Sequence, residues 1–372
     1  MTDLFENEIA LFPTTYAEIE QRIRCIDPVK YGKTRNFTDG AVSYLSPYIS
    51  RGVISTKQVL HRLLSQGYRP YAIEKFIQEL AWRAYWQQIW IAKGSGINGD
   101  LKNEQSPISN TKIPKANVNA RTGISAIDTA ITQFYKTGYL HNHLRMYIAS
   151  ISCNMAQSHW RVPAKWMYYH LLDADWASNA LSWQWVACAN SHKKYYANQD
   201  NINKYCYTQQ KNTFLDVSYE AFGTLSVPGV LRETFLPELK TPLPSPIPLS
   251  IDDSIPTLIY NLYNLDPLWK KDETANRILV LEPSHFKAYP VSQKTIDFVL
   301  ALSKNIDGIK VYVGEFNTLV KTYALKNIFF KEHPLNTHYQ GIEEERDWMF
   351  NVKGYYSSFF SFWKKCKKEL TY

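Results

Sequence analysis

The sequence predicts a mostly α N-terminal domain followed by a smaller α/β domain, and three observations carry that prediction. Apolar residues recur at helical spacing from about residue 73 to 185, with no strand-like alternation before Lys240. The closely spaced prolines of "LKTPLPSPIPLSIDDSIP" then disfavour both helix and sheet and leave a stiff, extended linker. Beyond it, short β-branched runs bracket a helical one, the pattern of a βαβ unit. A chain of 372 residues is long enough for two cores, with boundaries at 1–240, 241–256 and 257–372.

Taken in order, "IEKFIQELAWRAYWQQIW" from Ile73 sets Trp82, Trp86 and Trp90 one turn apart and predicts a long, largely buried helix ending near Gly94. Residues 95–121 are polar and predict a loop. "SAIDTAITQFYKTG" and "HLRMYIASISCNMAQSHW" resume the helical period, and "AKWMYYHLLDADWASNALSWQW" predicts one further helix with an irregular, polar end. After the linker, "RILVLEP" and "IKVYVGEF" predict strands on either side of the helical "SQKTIDFVLALSKN", with "NIFFKEHP" a candidate third. The C-terminal "KKCKKEL" reads as the solvated face of a last helix.

Composition narrows the function. A formal charge of +8 and a pI near 9.0 favour a polyanionic partner. Eight of the 11 tryptophans fall between Trp82 and Trp185, which suits either a large flat ligand or a thick helical core. The five cysteines form no CxxC and no zinc spacing, so a metal site is not expected and reduced thiols in a cytoplasmic protein are. Without a signal peptide or an apolar span of membrane length, a soluble chain with no membrane partner is expected.

The segment "LLDADWASNALSWQW" crowds Asp173, Asp175 and Asn179 against Trp183 and Trp185. Polar groups so placed cost free energy unless partnered. The carboxylates could cap helices. Arg145, in "HNHLRM", offers a second explanation: a cation on a buried helix needs a carboxylate nearby. An Arg–Asp pair beside aromatics forms a rigid, charged wall for a polar heteroaromatic ring, and a flavin fits that description.

Four segments, "YLSPYISRGVIS", "FIQELAWRAYW", "TGISAIDTAITQFYKTGYLHNHLRM" and "LLDADWASNALSWQW", follow one another as in the FAD-binding helical domain of the DNA photolyase and cryptochrome family. The resemblance covers roughly Tyr31 to Cys188 and lies nearest the cyclobutane pyrimidine dimer photolyases. It implies a folded FAD held by Tyr31, Ser43, Leu45, Ser46 and Arg83; capping of the helix that starts after them is the alternative for Ser43 and Ser46, and the order of the motifs favours the ligand reading. Arg145 matches the arginine beside the isoalloxazine ring, Asp173 its ion-pair partner, Asp175 an acceptor for the cofactor, and Asn179 the residue facing flavin N5. Trp183 and Trp160 match the first two members of an electron-relay chain, core packing being the alternative. No tryptophan lies between Trp90 and Trp160 to supply a third, so a relay would be rerouted through Trp166 or a tyrosine.

Glu79, Trp82, Asn142, Met146 and Trp185 match residues that hold a flipped pyrimidine dimer. The six-four photolyases carry histidine where this chain has Asn142 and Met146, so it does not match them. His143 stands where dimer-repairing enzymes usually carry arginine, which removes a permanent cation. The resemblance therefore implies light-driven repair of cyclobutane dimers in DNA, a photo-lyase reaction using FAD. Alternatives are a cryptochrome-like photoreceptor without repair activity and a flavoenzyme acting on a small molecule. The family's N-terminal antenna domain is expected to be missing, with an α/β segment after the linker instead, and no residues for an antenna chromophore are recognised in it. His192, Lys193 and Lys194 could touch phosphates or simply form a surface loop.

Overall fold

The computed structural model describes residues 11–370. The first stretch holds helices α1 (Tyr16–Arg24), α2 (Pro28–Thr34), α3 (Ser46–Ser50), α4 (Thr56–Ser65) and α5 (Glu74–Lys93). Next come strand β1 (Ile113–Pro114) and helices α6 (Lys115–Val118), α7 (Ser125–Thr137), α8 (Asn142–Ser150), α9 (Arg161–His170), α10 (Trp176–Val186) and α11 (Gln199–Cys206). Strand β2 (Thr234–Phe235) precedes the linker, after which follow β3 (Thr257–Tyr260), β4 (Asn276–Leu281), α12 (Pro283–Ala288) and α13 (Gln293–Ser303). The chain closes with β5 (Ile309–Val313), α14 (Phe316–Thr322), β6 (Ile328–Lys331), β7 (Ile342–Glu344) and α15 (Phe359–Cys366). The protein is mostly helical with one parallel five-stranded sheet.

Two compact units form. One comprises Met1–Val29, Ser43–Ala92 and Lys240–Tyr372, of which 11–370 are described; the other comprises Lys30–Val42 and Lys93–Leu239. The first contains the sheet, in the order β5-β4-β3-β6-β7. Its neighbouring strands are all parallel, with Ile259 of β3 opposite both Ile278 of β4 and Phe330 of β6. The chain thus builds outward from β3 to one edge and then returns to the other side. All four residues of β3 are buried, as expected of a strand covered on both faces. Phe316 and Leu319 of α14 pack on Ile259, Ile278, Val280, Ile328 and Phe330 to form the core of one face.

Two of the five strands escaped the sequence pattern. β3 is only "TLIY", too short to show a period, and β7 is largely exposed, with Ile342 at 52%. The sequence also predicted no strand before Lys240, whereas β1 and β2 form a two-residue antiparallel pair.

Helix α5 starts at Glu74 and ends as predicted, where Gly94 takes a left-handed φ of +51°. Along one of its faces lies the C-terminal segment. Gln87 Oε1 accepts from Arg346 Nη1 at 2.8 Å, Gln88 Oε1 from the Gly354 amide at 2.8 Å, and Glu74 pairs with Lys367 at 2.9 Å. Phe359 and Phe362 of α15 meet Tyr85, with ring centroids 5.8 and 5.7 Å away. Lys364 and Lys365 stay exposed on the outer side of α15, so the basic tail is indeed a solvated helix face.

Gly52 follows α3 with φ +64°, and an added Cβ would lie 2.3 Å from the Tyr263 carbonyl oxygen. Gly52→Ala therefore combines backbone strain with a main-chain clash, and we expect a loss of about 1–3 kcal/mol, read as a lowered denaturation midpoint.

The second unit corrects the prediction of a single helix over "AKWMYYHLLDADWASNALSWQW". Two helices, α9 and α10, are separated at Leu171–Asp175 because Asp175 leaves helical geometry and its Oδ1 caps the Ser178 amide at 2.7 Å. The polar residues that looked out of place belong to that turn. A buried amide then fastens the two helices, Asn179 Nδ2 donating to the Ala164 carbonyl at 2.8 Å. No helix among the described residues is long and apolar enough to cross a membrane.

Candidate functional site

In the second unit, α8 carries Asn142, Arg145 and Met146 at i, i+3 and i+4, on one helix face. The opposite positions Leu144, Tyr147 and Ile148 are buried, while Asn142 is exposed and the other two are half-buried. Arg145 Nη2 donates to Asp173 Oδ2 at 2.8 Å, and its Nε donates to the Leu140 carbonyl at 2.8 Å. Its guanidinium also lies 5.9 Å from the centre of the Tyr139 ring. The structure thus brings together the two residues that sequence reasoning paired, and it buries the acid more deeply than the base: 6% against 22% side-chain exposure.

Asn179 is buried as well. Its amide nitrogen is engaged by Ala164, so the amide oxygen is the end left to meet a ligand. Asp175 caps α10, as a helix-capping carboxylate would, and Ser178 keeps a buried hydroxyl with no hydrogen-bond partner among the described residues.

Trp183 and Trp160 are both fully buried, and Trp185 is 38% exposed. Trp160 lies 6.4 Å from Trp176, which in turn lies 5.6 Å from Tyr168. Trp166 donates its N–H to the Tyr135 hydroxyl at 3.0 Å. His143 does not offer a cation. Its Nδ1 lies 3.1 Å from the Asn36 carbonyl, its ring packs on Tyr147 and Tyr205, and burial pushes its pKa down. His192 and Lys193 are exposed, whereas Lys194 is half-buried with its pKa lowered by desolvation.

The remaining predicted residues lie mostly in the first unit. Ser43 Oγ accepts from the Leu45 amide at 3.4 Å, just before Ser46 opens α3. Arg83 donates to Ser50 Oγ at 3.0 Å. Glu79 pairs with Lys75 one turn earlier, at 3.2 Å. Trp82 stacks face to face on Phe359, with centroids 3.8 Å apart and planes within 10°. Tyr31 lies on α2, in the portion assigned to the second unit.

Against known families, residues 76–215 match the model described as the FAD binding domain of DNA photolyase. The deoxyribodipyrimidine photo-lyase of Agrobacterium fabrum is 33% identical over 163 residues, 42% of this chain and 34% of that protein. The enzyme of the same name from Vibrio cholerae is 30% identical over 190 residues, 47% and 39% of the two chains. This chain therefore spans little more than a third of the length of the curated relatives it matches. A solved Synechocystis cryptochrome aligns with 55% of this chain and 46% of its own, at 21% identity and a TM-score of 0.49.

A buried aspartate paired with a half-buried arginine, an amide whose nitrogen is engaged and an orphaned buried serine hydroxyl form a donor and acceptor set that suits a polar ring system. Arg145, Asp173, Asp175 and Asn179 are the residues that would hold it. No group of three or more His, Cys, Asp or Glu among the described residues is placed to hold a metal.

Sequence reasoning missed two features. One is the set of partners around Trp160, whose carboxylate, Asp100, sits in a stretch assigned to featureless loop. The other is a polar cluster at the carboxyl ends of the strands, where His338 Nε2 and the Tyr339 hydroxyl bond the buried Glu282 at 2.9 and 3.1 Å. The adjoining cavity is about 20 Å³, room for a single water.

One consequence for α8 concerns pH. His141, its N-cap, is buried, and desolvation aided by His143 and Arg145 pushes its pKa down to about 4. The unfolded chain takes up that proton near pH 6.5, the native state only near 4, so this stability is present above 6.5 and is lost as pH falls between those values. Denaturant titrations should show roughly 3 kcal/mol less stability at pH 4 than at pH 7 from this group, and His141→Gln should flatten the slope.

Proposed function

We propose that the protein is a light-driven repair enzyme that splits cyclobutane pyrimidine dimers in DNA. The observation that carries this reading is the open face of α8, where Arg145, tied to Asp173, stands beside Asn142 and Met146. When bound, FAD would supply the excited electron donor. Arg145 would set a positive charge beside the reduced ring, Asn179 would present an acceptor, and Asn142 and Met146 would offer a polar and an apolar edge to a flipped base. Trp185 keeps an exposed indole face for stacking. The relatives' printed name, deoxyribodipyrimidine photo-lyase, supports the same substrate class.

A second reading, a flavin photoreceptor without repair activity, is favoured by one contact: the Trp82 face that would meet the lesion is covered by Phe359. His143, engaged with the Asn36 carbonyl and with its pKa pushed down by burial, also disfavours a cation at the position where dimer-repairing enzymes usually carry arginine. The test is illumination of the reduced protein with dimer-containing DNA, for wild type and Phe359→Ala. Dimer loss with wild type supports repair as the protein stands. Loss with the variant alone means that α15 must move first. Unchanged dimers with both, flavin bound, exclude repair and leave the photoreceptor reading.

A further inference from the structure

Among the described residues of its unit, Trp160 gives its indole N–H to a carboxylate, whereas Trp166 and Trp176 give theirs to neutral acceptors. Its indole Nε1 donates to Asp100 Oδ1 at 2.7 Å. His159 Nε2 lies 3.3 Å from the same oxygen, and the Gln105 amide donates to Asp100 Oδ2 at 2.8 Å. Buried Gln105 closes the arrangement, accepting the Trp160 amide at 2.9 Å and donating to the Ser158 carbonyl at 2.8 Å. By contrast, Trp176 donates to the neutral Asn98 amide oxygen at 2.7 Å and Trp166 to a tyrosine hydroxyl. Those partners accept a hydrogen bond but are poor acceptors of the proton itself.

One-electron oxidation turns an indole N–H from a negligible acid into one comparable with a carboxylic acid. A carboxylate at hydrogen-bond distance can then take the proton without reorganisation. We propose that Trp160 and Asp100 form a proton-coupled trap for an electron hole. An electron leaves Trp160 toward the photoexcited flavin, and the Nε1 proton passes to Asp100 Oδ1, leaving a neutral indolyl radical and a carboxylic acid. The trap does the work of an absent third tryptophan: the hole is retained because its proton has left, and the spent radical is restored when an electron and that proton return. This inference rests on the flavin reading above.

The test is time-resolved absorption and electron paramagnetic resonance of the illuminated, flavin-bound protein, together with the Trp160 indole N–H resonance of the same protein in the dark. Wild type should give a neutral tryptophan radical, absent in Trp160→Phe, and a slowly exchanging N–H. Asp100→Asn, which keeps an acceptor oxygen but cannot take a proton, should give a cation radical that recombines roughly a hundredfold faster. Asp100→Glu should restore the neutral species. A neutral radical of unchanged lifetime in Asp100→Asn, or a radical surviving in Trp160→Phe, overturns the trap while leaving the flavin reading intact. A wild-type protein that carries no flavin overturns both.

Discussion

Arg145→Ala should purify nearly colourless, and Asp173→Ala should keep more of its flavin. The asymmetry follows from what each deletion leaves behind. Without Arg145, the Asp173 carboxylate loses its cation while remaining almost fully buried. Without Asp173, the guanidinium retains the Leu140 carbonyl and some solvent. Removing one partner of a buried pair costs about 3–5 kcal/mol, equivalent to a hundredfold or more in occupancy. Arg145→Lys should fall in between, because a single ammonium cannot reach the Leu140 carbonyl and the Asp173 carboxylate with the geometry of a fork. Equal, wild-type flavin content in all three variants would place the ring elsewhere.

The second large effect is expected at Phe359. Truncating this buried ring to alanine removes its stack on Trp82 and its edge contact with Tyr85. A loss of roughly 3–4 kcal/mol in the unit that contains the sheet should follow, visible as a lower unfolding midpoint. The same change bares the Trp82 face, so affinity for dimer-containing DNA should rise relative to intact DNA at matched salt. A variant that melts lower yet shows no preference for damaged DNA would separate the two roles and leave the ring purely structural. Trp82→Ala should show the same loss of stability without the gain in lesion affinity.

What the sequence made legible was periodic or chemically unusual. The spacing of Trp82, Trp86 and Trp90 predicted α5 to within a residue or so, and "RILVLEP" and "IKVYVGEF" located β4 and β5. That Arg145 needs a nearby carboxylate was readable because a cation on an apolar helix has few ways to be satisfied, and the family resemblance singled out Asp173 as that carboxylate. What escaped was short or distant. The Leu171–Asp175 break lies inside a continuous helical period and is decided by one capping carboxylate. Asp100 reaches Trp160 across 60 positions of chain, and Phe359 reaches Trp82 across a far longer separation; neither pairing leaves a local pattern. Family resemblance pointed to Trp82 as a lesion wall, yet the residue that covers it lies outside the matched segment.

The seating of the C-terminal segment on α5 has a bearing on how the polypeptide is made. Helix α5 leaves the ribosome early, but Arg346, Gly354, Phe359 and Lys367, which cap its polar groups and rings, are synthesised last. The intervening stretch can reach its compact form while that flank of α5 is still bare, so the unit begun first is finished second. A protein cut at the proline-rich linker would therefore carry wet, unsatisfied aromatic side chains along a twenty-residue helix, and it should aggregate rather than behave as an excised module.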